Sequence, residues 1–239
     1  MKAKIILLFL LCASISTLDA ANDILPKLQF NFSVGASYLT VQSAVNPSNE
    51  NFVNLTKYID KLHNEFNSQF DILYFPQNNI GYGLKYNSYS YSAQGQDFIF
   101  NSDDGIHNIV GDMAEKDFVN FIGPTIMFVT NSSPENPLKF FVQYSVGYVS
   151  YRSETTMAET NILLTGESFG TSMDAGLHYC LTKNLSFGLK ASLLYSTVSN
   201  IEIFDGLNKE SKTLDKYNSI NNSSVGLSAS ISYIFSHKK

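Results

Sequence analysis

The sequence predicts an all-β chain, folded as an eight-stranded antiparallel up-and-down transmembrane β-barrel with short periplasmic turns and long outer loops. Three observations predict it. Period-two alternation of apolar and small polar residues recurs in seven clear stretches and one interrupted stretch. Long and short connections between the stretches alternate strictly. One face of the alternation is built from Gly, Ser and a few charges, while the other is apolar and rich in Tyr and Phe.

The first segment stands outside the fold. Lys2 and Lys4 precede an apolar run over 5–11, and small and polar residues then lead to Ala20 and Ala21, the pattern of a secretory signal peptide over 1–20. The run is too short to span a bilayer as a helix. The barrel domain is assigned to 21–239. Removing Lys2, Lys4 and Asp19 leaves 14 basic and 20 acidic residues, a net charge near −6, with Arg152 the single arginine. That balance excludes a nucleic-acid binder, which needs a basic face to neutralise phosphates. Cys180 is the one cysteine after the leader, so neither an intramolecular disulfide nor a Cys-based metal site is expected.

The strands are expected at 28–42, 66–76, 80–93, 117–131, 138–152, 166–181, 185–198 and 223–236. In the first, Leu28, Phe30, Phe32, Val34, Ala36 and Tyr38 alternate with Gln29, Asn31, Ser33, Gly35 and Ser37. The last sets Val225, Leu227, Ala229, Ile231, Tyr233 and Phe235 against Gly226, Ser228, Ser230 and Ser232. The fourth is the interrupted one, because Pro124 breaks it; proline within a strand predicts an edge or a bulge. Turns at 77–79, 132–137 and 182–184 are short, whereas 43–65, 94–116, 153–165 and 199–222 read as long polar loops. Within the first loop, Leu55, Ile59, Leu62 and Phe66 have the spacing of a short amphipathic helix over 54–66.

Alternation does not by itself say which face points inward. Small residues suit the crowded lumen of an eight-stranded barrel, and a water-facing surface has no need of them. Aromatic placement agrees. Tyr38, Tyr86, Tyr89, Tyr91, Tyr148, Tyr151 and Tyr195 fall at the loop ends of their strands, and Tyr74, Phe75, Phe140, Tyr179, Phe187, Tyr233 and Phe235 fall beside the turns. Two such rings are what the two membrane interfaces select.

These features carry a resemblance. The run from Tyr74 through Pro76, Asn78, Asn79 and Gly81 to Tyr86, the Phe121-Ile122-Gly123-Pro124 stretch, Gly147-Tyr148-Val149-Ser150-Tyr151 and the final alternating strand resemble the small eight-stranded outer-membrane β-barrel proteins of Gram-negative bacteria, in the OmpA/OmpX-like and PorT-like group. Ser236, His237, Lys238 and Lys239 follow Phe235, where many such barrels end on the aromatic itself. The resemblance implies an integral outer-membrane location, and as partners outer-membrane lipid, periplasmic chaperones and the outer-membrane assembly machinery. A monomer with a surface partner through its loops is expected, and no cofactor.

Turn geometry supplies candidate interior residues. A three-residue turn at 77–79 pairs Tyr74 with Tyr82 and sets Asp71 opposite Lys85 inside the barrel, predicting an ion pair. The turn at 182–184 pairs Gly176 with Lys190, which then reaches diagonally to Asp174 and His178. Buried charges demand partners, so this network reads as a rigid filling of the lumen. No catalytic constellation is expected. The histidines at 63, 107, 178 and 237 have no evident nucleophile beside them, although His107 lies near Asp103 and Asp104. Ser102-Asp103-Asp104-Gly105 reads as a solvated turn, since the spacing of a calcium loop is absent. The function expected is therefore a non-catalytic barrel serving envelope structure or surface interaction. Two alternatives are an accessory of outer-membrane assembly or secretion, and a soluble secreted barrel binding an apolar ligand, which would need its hydrophobic face inward.

Overall fold

The computed structural model describes residues 27–40, 64–76, 78–101, 108–130, 137–157, 160–215 and 218–236. The predicted leader, most of the predicted helix over 54–66, the 102–105 turn, His63, His107 and His237 lie outside them. Asn64, Glu65 and Phe66, at the end of the predicted helix, belong to a strand.

Eight long strands close into a ring. They are β1 (Lys27–Leu39), β2 (Asn64–Phe75), β3 (Ile80–Asn101), β4 (Asn108–Val129), β5 (Leu138–Met157), β6 (Thr160–Cys180), β7 (Leu185–Val198) and β11 (Ser224–Ser236). Each pairs antiparallel with its sequence neighbour, and β11 returns to β1 with Leu28 opposite Phe235 and Tyr38 opposite Val225. The registers expected from the turns are present: Tyr74 faces Tyr82, Asp71 faces Lys85 and Gly176 faces Lys190. At the 182–184 turn the Leu185 carbonyl accepts from the Leu181 amide, and Thr182 Oγ1 accepts from the amides of Asn184 and Leu185.

Two expectations need correction. The stretches 94–116 and 153–165 are largely strand rather than loop: β3 and β4 stay paired as far as Asn101 and Asn108, across a bulge between Gly95 and Phe98, and β5 and β6 as far as Met157 and Thr160. The 199–222 stretch likewise contains β8 (Asn200–Phe204), β9 (Lys209–Thr213) and the two-residue β10 (Ile220–Asn221). β8 pairs with the far end of β6 at Leu163–Glu167, while the nearer part of β6 pairs with β7. The ring therefore forks beside Ser168. Pro124, expected at an edge or bulge, lies inside β4, opposite Leu84 on β3. The cost falls on the other side, where the β4–β5 ladder passes over Gly123 and Pro124. Gly123 and Gly147 meet there, and a Cβ on Gly147 would stand 2.2 Å from the Ile122 carbonyl oxygen, so no larger residue fits this approach.

The polarity of the two faces changes along the strands. Near the turns, Leu28, Ile72, Tyr82, Leu84 and Leu189 point outward and are exposed, while Asn31, Gln69, Ser172 and Ser230 are buried inside. The last apolar outward row runs across four strands as Tyr86, Ile122, Tyr148 and Phe169. The next row is Ser88, Asn120, Ser150, Glu167, Asn200 and Thr213, and the one beyond it is Ser90, Phe118, Arg152, Thr165, Glu202 and Ser211. From that level outward the interior becomes apolar, with Tyr89, Tyr91, Val119, Phe121, Val149, Tyr151, Leu194, Val198 and Ile201 forming one buried cluster. An apolar exterior fits lipid, and an apolar interior with a polar exterior fits water. The exterior thus changes from an apolar belt to a polar extension between these rows.

Candidate functional site: the barrel interior and its outward belt

Glycine and serine on the inward face leave the middle of the lumen room for long charged side chains from opposite walls. Asp71, Lys85, Asp174, His178 and Lys190 all point inward and are buried, Lys85 and Asp174 completely. Lys85 stands opposite Asp71 in the β2–β3 ladder, yet its Nζ crosses the lumen to Asp174 Oδ2 at 2.5 Å and donates to Ser172 Oγ at 2.9 Å. Lys190 Nζ lies 3.5 Å from the same Asp174 oxygen. Asp71 accepts from Gln143 Nε2 at 3.1 Å, and Gln143 also donates to Thr125 Oγ1 at 3.0 Å. The expected Asp71–Lys85 pair is therefore replaced by a cross-lumen pair. Hairpin register fixes only neighbours in the wall, and β3 and β6 stand three strands apart around the ring. His178 is apart from the ion pairs; its ring tilts on Phe141 with centroids 4.5 Å apart.

Two lysines and two carboxylates balance in charge, the condition under which ions persist away from bulk water. Several polar atoms among them, including Asp174 Oδ1, both amide atoms of Gln69, Ser33 Oγ and Ser230 Oγ, reach no protein partner. Buried polar atoms in that state bind ordered water. Apolar groups close both ends of this polar section. Leu73, Phe75, Met127 and Phe141 pack together on the turn side, and the Tyr89, Phe121, Val149 and Leu194 cluster lies on the other.

Sequence reasoning misplaced part of these plugs. Phe75, Tyr89, Tyr91 and Tyr151, expected in the aromatic rings, face inward and are buried. The signal for three of them was available, since Tyr89, Tyr91 and Tyr151 have the opposite parity from Tyr86 and Tyr148. The remaining expected aromatics face outward: Tyr38, Tyr86, Tyr148 and Tyr195 at one end of the belt, Tyr74, Phe140, Tyr179, Phe187, Tyr233 and Phe235 at the other. Around the seam the belt packs ring on ring, with Phe30 edge-on to Phe235 at 5.6 Å and Tyr233 edge-on to Phe235 at 4.6 Å.

Beyond the belt, Asp117 is buried in the extension, where its Oδ2 accepts from the Tyr151 hydroxyl at 3.0 Å. Burial, and then the charge of Glu115, push its carboxyl up to about 6. In the exposed turn between β8 and β9, the amides of Asn208 and Leu207 donate to Asp205 and hold its carboxyl below the ordinary range. Among the described residues, no group of three or more His, Cys, Asp or Glu side chains is placed to hold a metal ion.

No protein-family model matches the chain, and no curated protein matches it in sequence. Solved structures do. The outer membrane protein OprG from Pseudomonas aeruginosa is similar at 12% identity and a TM-score of 0.50, covering 91% of this chain and 99% of that one. A major outer membrane protein from Thermus thermophilus is similar at 12% identity and a TM-score of 0.50, covering 87% of this chain and 99% of that one. At such identities the likeness is one of fold, and the chain has the eight-stranded antiparallel fold found among small outer-membrane β-barrel proteins.

Proposed function

We propose that the chain is a non-catalytic integral outer-membrane β-barrel with a closed lumen, serving envelope structure or surface interaction through the extension formed by β3 to β6, β8 and β9. The observation that carries this reading is the exterior belt of Leu, Ile, Tyr and Phe around a polar, charge-balanced interior. A soluble barrel holding an apolar ligand needs the opposite arrangement at its middle. Short turns at one end and the extension at the other support an orientation with the turns in the periplasm. The inward plugs and the completely buried Lys85 and Asp174 support a filled lumen rather than a pore, and they keep the interior carboxylates away from any substrate. Lipid, periplasmic chaperones and the assembly machinery are the partners this reading implies. An accessory role in assembly or secretion would act through the same extension.

Refolding the chain from Ala21 in detergent, beside a tube without detergent, tests the reading. Unheated and boiled samples are expected to migrate differently on a denaturing gel only where detergent was present. In planar bilayers with concentrated KCl the folded protein is expected to give no discrete conductance steps. A protein folded without detergent would overturn the membrane assignment, and reproducible steps would overturn the closed lumen.

A further inference from the structure

We infer that the turn-side mouth of the lumen binds one free tetrahedral oxyanion, with inorganic phosphate as its representative, between Lys27, Lys139 and His178. The site rests on the closed ring of strands alone, whatever solvent surrounds it. A cavity of about 40 Å³ lies at this end, with Phe75 of the turn-side plug in its wall. The three residues have inward parity. Lys27 precedes the exposed Leu28, Lys139 stands between the exposed Leu138 and Phe140, and His178 between the exposed Leu177 and Tyr179. The cavity is therefore inside the wall, where lipid on the outer face does not reach.

Register builds the site. Lys139 is opposite His178 in the β5–β6 ladder, and Gly188 is opposite it on β7. Gly188 supplies the room: a Cβ there would stand 2.3 Å from His178 Cδ2. The imidazole fits into that recess against Phe141 and is 3% exposed. It lines the cavity, yet its ring nitrogens hydrogen-bond no described residue. Ser232 Oγ, also in the lining, is buried with no protein partner. Buried polar groups in that state are completed by something other than protein.

Charge decides what completes them. The Lys27 ammonium donates to a neutral acceptor, Asn78 Oδ1, at 2.9 Å. Among the described residues, no aspartate or glutamate lines the cavity. The inward carboxylate four residues along β6, Asp174, is already held by Lys85 and Lys190. Two ammonium groups thus face one small space without a counter-charge, and they repel more strongly there than in bulk water. An anion removes that repulsion and takes charge-assisted hydrogen bonds from both. A lone water needs roughly 10–15 Å³, so the space admits a compact group of a few atoms and excludes a nucleotide or a sugar. Donors arriving from separate strands suit an anion with several oxygens better than a single halide ion.

The test titrates inorganic phosphate into the chain from Ala21, refolded in dodecyl maltoside and phosphate-free buffer. Heat is followed together with the ring ¹⁵N signals of His178, identified with His178→Gln. One saturable site is expected, with the His178 signals moving in step with the heat. Lys27→Gln and Lys139→Gln are each expected to weaken phosphate about tenfold or more. Gly188→Ala, which pushes the imidazole out of its recess, is expected to weaken it as well. Lys183→Gln, exposed on the 182–184 turn and outside the cavity, is expected to leave it unchanged. No saturable heat, unmoved His178 signals, or equal weakening by Lys183→Gln and Lys139→Gln would overturn the inference and leave a cavity that holds water. Chloride displacing phosphate at equal concentration would overturn the oxyanion. Equal competition by glycerophosphoglycerol, the headgroup of phosphatidylglycerol, would overturn the free-anion source. The heat-dependent gel shift is recorded on every sample: a wild-type chain that shifts and takes no phosphate defeats this inference alone. A chain that folds without detergent defeats the membrane reading and is titrated in that state. Should Gly188→Ala not shift, Lys27→Gln and Lys139→Gln decide.

Discussion

Lys85 joins the two halves of the wall, reaching from β3 to Asp174 on β6 with neither side chain exposed to solvent. Replacing it with Met leaves Asp174 one cation, Lys190, at 3.5 Å. Breaking a buried pair by removing one partner costs about 3 kcal/mol or more, because the other charge stays desolvated. Lys85→Met is therefore expected to lower the urea midpoint of the detergent-folded barrel by that equivalent, and adding Asp174→Leu to recover more than half of it. Asp117 gives a pH dependence of defined sign. Its folded-state carboxyl titrates near 6 and the unfolded one near the ordinary 3.8, so between these values the folded state holds the extra proton. Its contribution to stability is present below pH 4 and declines as pH rises to about 6, by roughly 2–3 kcal/mol. Asp117→Asn should flatten that part of the profile, measured as the urea midpoint from pH 4 to 7. That Lys85, Asp174 and Lys190 lie inside was legible from parity. Which of them would pair was not, because contacts across the lumen depend on ring closure and side-chain reach.

At the scale of elements, seven of the eight ring strands were legible from period-two alternation, β4 being interrupted at Pro124, and two of the registers followed from turn length. The extent of the strands was not. In β3, apolar residues occupy even positions up to Tyr86 and odd positions from Tyr89; the expected strand crossed that switch but ended at residue 93, where the polar run Gln94, Gly95, Gln96 and Asp97 reads as loop although the strand continues through it. Ser88, Ser90 and Ser92 face outward along the part of the strand whose Tyr89 and Tyr91 are buried. The fork at β8 was hidden for another reason: Asn200 to Phe204 pair with the far end of β6, a partner that a meander does not anticipate. The β8–β9 hairpin is nevertheless separable from closure, since β6 and β7 pair from Gly170 to Cys180 without it. Replacing residues 201–212 with a short Gly/Ser turn is expected to keep the heat-dependent gel shift. It should cost about 2–4 kcal/mol in urea stability, from the loss of Ile201 and Ile203 against the extension's apolar cluster. Complete loss of the shift would mean that the hairpin is part of the barrel wall.

At the scale of the whole molecule, the chain has two sections of opposite polarity. Its belt section turns apolar side chains outward around balanced charges, and its extension turns them inward around a core of Tyr, Phe, Val and Leu. β3 to β6 run through both sections without a break. Closure itself depends on β1 and β11, which pair at thirteen positions although nearly the whole described chain separates them. Contacts between such distant segments form late, after the loop entropy of everything between them has been overcome. Closure is therefore the last event in building the ring. A chain that stops before Ser224 lacks the last strand, leaving the open edges of β7 and β1 to recruit strands from other chains. Only a polypeptide that includes Ser224–Ser236 closes the ring.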